Sequence, residues 1–431
     1  MSLHPQHIRS LQADLRRATS EAAEAVTPTA TITGSAGDDN LTGTAQNELI
    51  EGLAGSDLLV TGGGHDTLRG GSGDDALFSG AGNDTLDGGE DYDHLYYSNA
   101  PAGVTIDLRT GTATGGAGSD TFTGIELIFG SSFNDVYIGN DEGANFLGDD
   151  GNDSITGGAG RDHLEGNGGD DTIDGLGGVD AVAYYSAAFA VVVDLGAGTA
   201  TGGLGSDVLR NIEDATGSVF NDTLSGSNSD NTLDGSDGKD TLISTPGNDT
   251  LDGGNGIDTA VYALPRSVYT LQRPGDYSIE KPDAAGSDTL PDIERLQFSD
   301  SHLALDLDGH AGQTAKLLGA VFGVASLANQ RFVGIGLSYL DDGMSYQDLA
   351  ALAVSATGKT SHADIVSLLW TNLFGAAPTA EEAAPVIAWL DGGMTVGALT
   401  VLAADLELNT SHIDLVGLAQ TGIAFEPWVP I

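Results

Sequence analysis

Residues 70–87 read GGSGDDALFSGAGNDTLD, which is two copies of a nine-residue pattern. Glycine stands at the second and fourth positions of each copy, aspartate at the sixth and leucine at the eighth. The frame runs through seven consecutive copies, whose sixth positions are Asp39, Glu48, Asp57, Asp66, Asp75, Asp84 and Asp93. It returns in two later blocks, which contribute Asp153, Asp162, Asp171, Asp180, Asp222, Asp240, Asp249 and Asp258. A fixed short period predicts a stack of identical structural units.

Each copy combines a turn with a short apolar strand. Glycines let the backbone bend and bring its carbonyl groups together, and the residues after the aspartate alternate as in a strand. Ca²⁺ takes six to eight oxygen ligands from carboxylates and carbonyls. If two copies make one coil, aspartates 18 residues apart stack along one edge, as Asp57 and Asp75 do. The pattern therefore predicts a series of Ca²⁺ sites shared between successive coils.

The charge of the chain supports cation binding. It has 15 Lys and Arg against 63 Asp and Glu, a formal net charge of −48. Such a chain repels itself when compact unless cations neutralise it, and nucleic acid is excluded as a partner. No cysteine is present, so neither disulfides nor thiolate metal sites hold the fold together. No apolar stretch reaches the length of about 20 residues that a membrane span needs.

The frame GGSGDDALF resembles the RTX, or hemolysin-type, calcium-binding repeat, Gly-Gly-x-Gly-x-Asp-x-apolar-x. The resemblance covers residues 33–262 and implies a parallel β-roll that binds several Ca²⁺ ions. Glu48 and Asn231 replace the aspartate, and Gln46 and Asp91 replace the second conserved glycine, so weak or absent ion binding is expected at those half-turns. The expected metal ligands are Asp39, Asp57, Asp66, Asp75, Asp84, Asp93, Asp135, Asp153, Asp162, Asp171, Asp180, Asp222, Asp240, Asp249 and Asp258.

A larger duplication overlies the repeats. The segment from Tyr96 to Asp135 recurs 87 residues later, ending at Asp222, and matches Asp120 with Asp207. Alternating apolar residues predict strands in both copies. We interpret these segments as β-insertions that continue the edge of the coil.

The predicted organisation has four parts. Residues 1–31 form an amphipathic helix and linker, with apolar residues at spacings of three and four. That helix either pairs as a short coiled coil or docks on its own protein. Residues 32–262 form the β-roll with insertions at 97–129 and 184–216. Residues 263–305 form a β cap over the last coil, and residues 306–431 a helical domain.

The helical domain is itself duplicated at a spacing of 50 residues, with LDDGMSYQDLAALA at Leu340 recurring as LDGGMTVGALTVLA at Leu390. Ser361 and Thr379 begin predicted helices as N-caps. The region resembles an uncharacterised helical domain that follows RTX repeats in proteins exported by type I secretion. That resemblance implies an uncleaved C-terminal export signal, recognised by the type I secretion machinery, and an extracellular or cell-surface location.

No His-Glu-x-x-His or Gly-x-Ser-x-Gly motif occurs in the chain. The sequence therefore favours a non-catalytic, secreted surface-layer, matrix or adhesion protein that folds on Ca²⁺, with self-assembly or a cell-surface glycan as possible contacts. The alternative is a carbohydrate-binding or enzyme-accessory module. For that function Tyr92, Tyr96, Tyr97, Tyr184 and Tyr185 are the candidate aromatic residues. A glycan-modifying enzyme that uses the carboxylates of the roll is the least favoured hypothesis.

Overall fold

The computed structural model describes residues 28–203, 205–273 and 275–428. The predicted N-terminal helix, over residues 1–27, lies outside these residues. The chain divides into two compact units. The first comprises the described residues up to Val182 together with 205–212, and the second comprises 183–203 and the described residues from Glu213 onward.

The first unit is a parallel β-roll. Each coil of 18 residues supplies two short strands, and each strand pairs in parallel with the strand one coil away. Leu59 is in register with Leu41 and Leu77, and Leu68 with Ile50 and Leu86. Apart from Leu41 in the first coil, which is half-buried, these apolar residues are fully buried because the eighth position of the repeat points between the two sheets. The fold class predicted from the nine-residue period is confirmed.

Most strands of the first unit are three to six residues long and follow one another at the repeat spacing. They are Ala30–Thr33, Asn40–Thr42, Glu48–Ala54, Leu58–Val60, Gly63–Gly64, Thr67–Ser72, Ala76–Phe78, Ala81–Gly82, Thr85–Glu90, His94–Tyr96, Val104–Asp107, Thr112–Gly115, Gly118–Thr123, Leu127–Phe129, Val136–Ile138, Asn145–Leu147, Ser154–Gly158, His163–Glu165, Thr172–Leu176, Ala181–Ala183 and Gly205–Arg210.

The first insertion extends the roll instead of leaving it. Its three strands, from Val104 to Thr123, form an antiparallel meander. The outer strands rejoin the coils in parallel, with Thr121 in register with Thr85 and Thr105 with Val136. The insertion therefore continues the edge of the coil, as the alternating apolar residues predict.

The second unit continues the same architecture and then changes to a cap. Leu224, Leu242, Ala260 and Leu296 follow one another in parallel register. An antiparallel meander over residues 270–290 then packs on the last coil through Thr289, which pairs with Thr250. The strands of this unit are Val191–Asp194, Thr199–Gly202, Asp214–Thr216, Thr223–Ser225, Thr232–Asp234, Asp237–Gly238, Thr241–Ile243, Thr250–Asp252, Asn255–Gly256, Thr259–Val261, Thr270–Gln272, Tyr277–Glu280, Ser287–Leu290, Arg295–Gln297, His302–Ala304 and Ile423–Phe425.

Eight α-helices lie among the described residues of the second unit. They are α1 (His310–Phe322), α2 (Gln330–Asp341), α3 (Tyr346–Ala356), α4 (His362–Phe374), α5 (Ala380–Asp391), α6 (Val396–Ala404), α7 (Glu407–His412) and α8 (Leu415–Thr421). Short 3₁₀ turns occur at Arg266–Val268, Pro282–Ala284 and Val324–Ala328. None of the described helices is long and apolar enough to cross a membrane.

The helices confirm the predicted caps. The side chain of Ser361 accepts the backbone N–H of Asp364, and Thr379 forms a complete capping box with Glu382. Helices α1 to α3 and α4 to α6 are the two copies of the duplication. Their buried faces consist of Leu, Val, Ile and Ala side chains, which gather in three apolar clusters.

We expect the helices to persist when calcium is removed, because apolar contacts and not carboxylates hold these clusters together. Chelator added to the full-length protein should leave most of the circular-dichroism signal at 222 nm in place. Leu369→Ala is the positive control, since truncating this buried residue of α4 costs about 2–5 kcal/mol and should lower the melting temperature of that signal. Loss of the 222 nm signal in the unmutated protein on chelation would contradict this division of stability.

Candidate metal centre

The predicted ligands line the edges of the coils. Fourteen of the fifteen aspartates are at most 3% exposed, and Asp39, in the first full repeat, is half-buried. Carboxylates are rarely buried to this degree unless a cation or a set of donors compensates the loss of water.

In most coils, one carboxylate oxygen of the aspartate accepts a hydrogen bond from the neighbouring coil. Asp57 Oδ1 accepts the backbone N–H of Asp39 at 2.8 Å, and Asp75 Oδ1 accepts that of Asp57 at 2.8 Å. Asp93 Oδ1 accepts that of Asp75 at 2.9 Å. The same bond recurs between Asp135 and Asp153 and between Asp222 and Asp240. These hydrogen bonds join aspartates 18 residues apart and so fix the register of the coils.

The second carboxylate oxygen is buried without a hydrogen-bond donor in many coils. This holds for Oδ2 of Asp57, Asp66, Asp75, Asp93, Asp153, Asp171, Asp240 and Asp258. Burying a charged oxygen without a partner costs several kcal/mol, which is at least as much as the loss of a hydrogen bond. Each such oxygen therefore requires a positive partner.

The glycine at the first position of the repeat makes room at this oxygen. A Cβ on Gly70 would lie 2.1 Å from Asp75 Oδ2 and 2.4 Å from the carbonyl oxygen of Gly88. The fourth position requires glycine for a different reason, which is its backbone conformation. Gly73 has a φ of +110°, which a side chain rarely tolerates.

Burial also raises the pKa values of these carboxyl groups. Desolvation raises the pKa of Asp66, Asp75 and Asp93 to about 6, although a backbone N–H opposes the shift in each case. The pKa of Asp240 rises to about 7 and that of Asp153 to about 8, again chiefly because of burial. In the absence of a cation, the folded edge holds protons at pH values where an exposed aspartate has none.

These oxygens fit Ca²⁺ better than a metal that prefers nitrogen or sulfur. No group of three or more His, Cys, Asp or Glu side chains comes together among the residues described. The remaining ligands would have to be backbone carbonyls and water, which Ca²⁺ accepts readily. Aspartates of neighbouring coils would hold the ions, and the ions would supply the charge that the orphaned oxygens lack.

Five further carboxylates continue the edges outside the nine-residue frame. Asp120 Oδ1 accepts the N–H of Asp84, 36 residues before it, and Asp207 stands in the same relation to Asp171. Glu126 accepts from Asp93, Glu294 from Asp258, and Asp288 from Asp249. The match of Asp120 with Asp207 in the 87-residue duplication was one available signal. Glu294 lies 36 residues after Asp258, which is the length of two coils, whereas Glu126 and Asp288 lie at irregular spacings of 33 and 39 residues.

A comparison with models of known protein families identifies the repeats. The model described as RTX calcium-binding nonapeptide repeat (4 copies) matches residues 30–59, 60–95, 147–182, 216–251 and 225–260. The chain carries RTX calcium-binding repeats. None of the curated proteins matches the chain.

In some RTX half-turns, a residue of the same half-turn donates hydrogen bonds to the carboxylate. Ser131 donates its N–H and hydroxyl to Asp135, and Ser218 does the same for Asp222. Thr44 donates in the same way to Glu48. These half-turns need a cation less than their neighbours do, and weak ion binding at Glu48 stays a prediction.

Asn231, the other substituted position, carries its own donor. Its side-chain oxygen accepts the N–H of Ser227, and its amide nitrogen donates to the carbonyl of Glu213 at 2.7 Å. An amide group thus makes two of the contacts of this half-turn without any ion.

The candidate glycan-contacting tyrosines differ in their exposure. Tyr97 and Tyr184 are buried in the RTX units, while Tyr92 and Tyr185 are exposed. Tyr96 stacks between Phe78 and Phe129, with ring centroids 4.3 Å apart on either side. Both faces of the Tyr96 ring are therefore covered by protein, and only its edge is available to a ligand.

The first-position glycine provides a test of the RTX site geometry. Gly70→Ala should raise the calcium concentration at the folding midpoint several-fold, because the new methyl group overlaps Asp75 Oδ2. Gly177→Ala is the matched control, since a Cβ at that third-position glycine meets no atom within 4 Å. Midpoints are measured by circular dichroism at fixed ionic strength, and equal effects of the two variants would argue against the geometry.

Acid should stabilise the RTX coils when calcium is absent. The folded pKa values, about 6 to 8, lie above the ordinary value of 3.8, so the folded state binds more protons than the unfolded state between these limits. Its stability in chelator must then fall as the pH rises from about 4 to about 8. Circular dichroism in chelator at pH 5 and pH 8 checks this. A roll that is more folded at pH 8 would contradict it.

Proposed function

We propose that this protein is a secreted, non-catalytic calcium-binding protein whose repeats fold when they meet calcium outside the cell. The observation that carries the proposal is the series of buried aspartate oxygens without a donor, such as those of Asp57, Asp75 and Asp93. Together with a net charge of −48, they make the ion-free coil unfavourable.

The calcium gradient across a cell membrane would then decide where the coils fold. A site at ten times its Kd adds about 1.4 kcal/mol of stability, and about ten such sites add roughly 14 kcal/mol. At cytosolic calcium the same sites add almost nothing. The chain would therefore pass through a type I secretion channel unfolded and fold on arrival outside. The resemblance of the C-terminal helical region to domains of type I-exported proteins supports this route.

A surface-layer, matrix or adhesion role suits a regular roll of this kind. Its ions and its backbone hydrogen bonds repeat along the coils, so the working state is the folded scaffold itself. The histidines nearest to acidic groups in the helical region are engaged with them: His310 contacts Asp341 at 2.8 Å and His362 contacts Asp391 at 2.7 Å. These contacts favour structural roles over catalytic ones.

The carbohydrate-binding alternative receives less support. Sugar rings stack on the open faces of aromatic side chains, and the stack of Phe78, Tyr96 and Phe129 offers edges instead. Tyr92, which is exposed, accepts a hydrogen bond from the side chain of Asn145. We therefore keep the scaffold role as the proposal.

The test is a calcium titration of the full-length protein and two variants, followed by circular dichroism and sedimentation velocity. The parent should gain β-sheet signal between micromolar and millimolar calcium, and larger assemblies should appear over the same range. Asp75→Asn should raise the midpoint several-fold, because Asp75 borders Asp57 and Asp93 in two successive coils.

Glu48→Gln is the matched control, since Thr44 already donates two hydrogen bonds to Glu48. Its midpoint should stay close to that of the parent. A parent whose spectrum does not respond to calcium or chelator would refute calcium-driven folding. Folding without any assembly would leave the calcium dependence standing and refute the scaffold role.

A further inference from the structure

One half-turn of the second unit has a positively charged side chain among its carboxylates. Lys281 follows the strand Tyr277–Glu280 in the cap and is only 7% exposed. Its ammonium group donates to Asp249 Oδ2 at 3.0 Å, to Asp288 Oδ1 at 2.5 Å and to the carbonyl oxygen of Thr245 at 2.6 Å. All three partners are oxygens of the coil edge.

These oxygens occupy the same repeat positions as the oxygens around the carboxylate atoms that have no donor in other half-turns. Thr245 and Asp249 are the second and sixth residues of the repeat at 244–252. Asp288 is the next carboxylate along the same edge, because its Oδ1 accepts the N–H of Asp249 at 3.1 Å. In the repeat at 70–78, the corresponding side-chain atoms are Oδ2 of Asp75 and Oδ1 of Asp93.

The two half-turns differ in one respect. Asp75 Oδ2 is buried and has no donor, whereas Asp249 Oδ2 has the ammonium group of Lys281. At the half-turn that Lys281 reaches, the second carboxylate oxygen has a donor. The lysine thus supplies the positive charge that half-turns such as the one at Asp75 lack.

We propose that the ammonium group of Lys281 takes the place of a calcium ion at this half-turn, so that the chain itself carries the cation that closes the C-terminal end of this edge. The inference rests on the proposed function, since it presupposes that the other half-turns take Ca²⁺. It also changes the expected set of calcium ligands, because Asp249 binds a lysine and not a calcium ion on the side of the cap.

The surroundings hold this arrangement in place. Asp288 Oδ2 accepts hydrogen bonds from the hydroxyl groups of Ser244 at 2.7 Å and Tyr262 at 3.1 Å. The backbone N–H of Lys281 donates to Gly286 at 2.9 Å. With both carboxylates and the lysine anchored, the buried charges are paired and hydrogen-bonded, as burial requires.

A consequence for folding follows from the fixed cation. The half-turns that need ions close only when calcium arrives, but the one at Asp249 has its positive charge in the absence of calcium. The cap and the last coil then form a preformed end on which the next coil can stack. Each coil of a solenoid is stabilised mainly by its neighbour, so growth would proceed from this end.

The test compares Lys281→Ala with Lys316→Ala in the full-length protein. Lys316 forms a partly exposed ion pair with Asp405, so its replacement removes the same side chain away from any coil edge. Equilibrium dialysis should find one more bound calcium ion per chain in Lys281→Ala than in the parent. Lys316→Ala should match the parent.

Terbium luminescence locates the additional ion. Tyr262 donates to Asp288, so a Tb³⁺ ion bound in place of the ammonium group would be excited by the tyrosine ring. Lys281→Ala should show additional sensitised emission, and the further change Tyr262→Phe should remove that increment. An unchanged ion count together with unchanged emission would overturn the proposal.

A second comparison leaves Lys281 in place, in case the lysine variant does not fold. Asp288→Asn should keep the ion count of the parent, because no ion lies beside Asp288. Glu294→Gln should lose one ion, because Glu294 accepts the N–H of Asp258, whose Oδ2 has no donor. Loss of an ion in Asp288→Asn would overturn the proposal. A parent that binds no calcium would refute the proposed function instead.

Discussion

The structure depends on one hydrogen bond repeated along the coils, from the backbone N–H of one aspartate to the carboxylate of the aspartate one coil later. This bond fixes the register, and it forces a charged group into the protein interior. With one oxygen committed to the backbone, the other points into a space kept open by a glycine. The demand for cations is therefore a consequence of the way in which the coils are joined.

The nine-residue frame was sufficient to predict the coils, their register and the buried leucines. The reason is that the regular coils of a solenoid contact one another through residues at a constant spacing. The frame also identified Asp57, Asp75 and Asp153 as residues of the coil edges. The caps of the helices were predictable for a similar reason, because Thr379 and Glu382 interact within one turn.

What the sequence did not reveal lies at irregular spacing. Glu126 and Asp288 continue the edges after insertions whose length is not a multiple of the coil, and Lys281 reaches Asp249 from the antiparallel meander of the cap. The strand Ile423–Phe425 pairs with His302–Ala304 across the whole helical region. Such contacts depend on where a connection returns, which no local pattern encodes. The half-turns at Asp135 and Asp222 fit the frame, yet a serine already satisfies their carboxylates.

The insertion between Asp93 and Asp135 continues the roll, because its outer strands pair in parallel with coil strands, and a hairpin connection joins its first two strands. That connection, residues 108–111, links Val104–Asp107 to Thr112–Gly115. Lengthening a loop adds closure entropy only logarithmically, about 0.6 kcal/mol for each doubling. Foreign peptides placed there would be displayed at a fixed height on a rigid support, which makes the roll a carrier for engineered epitopes whose presentation is switched by the ionic composition of the medium.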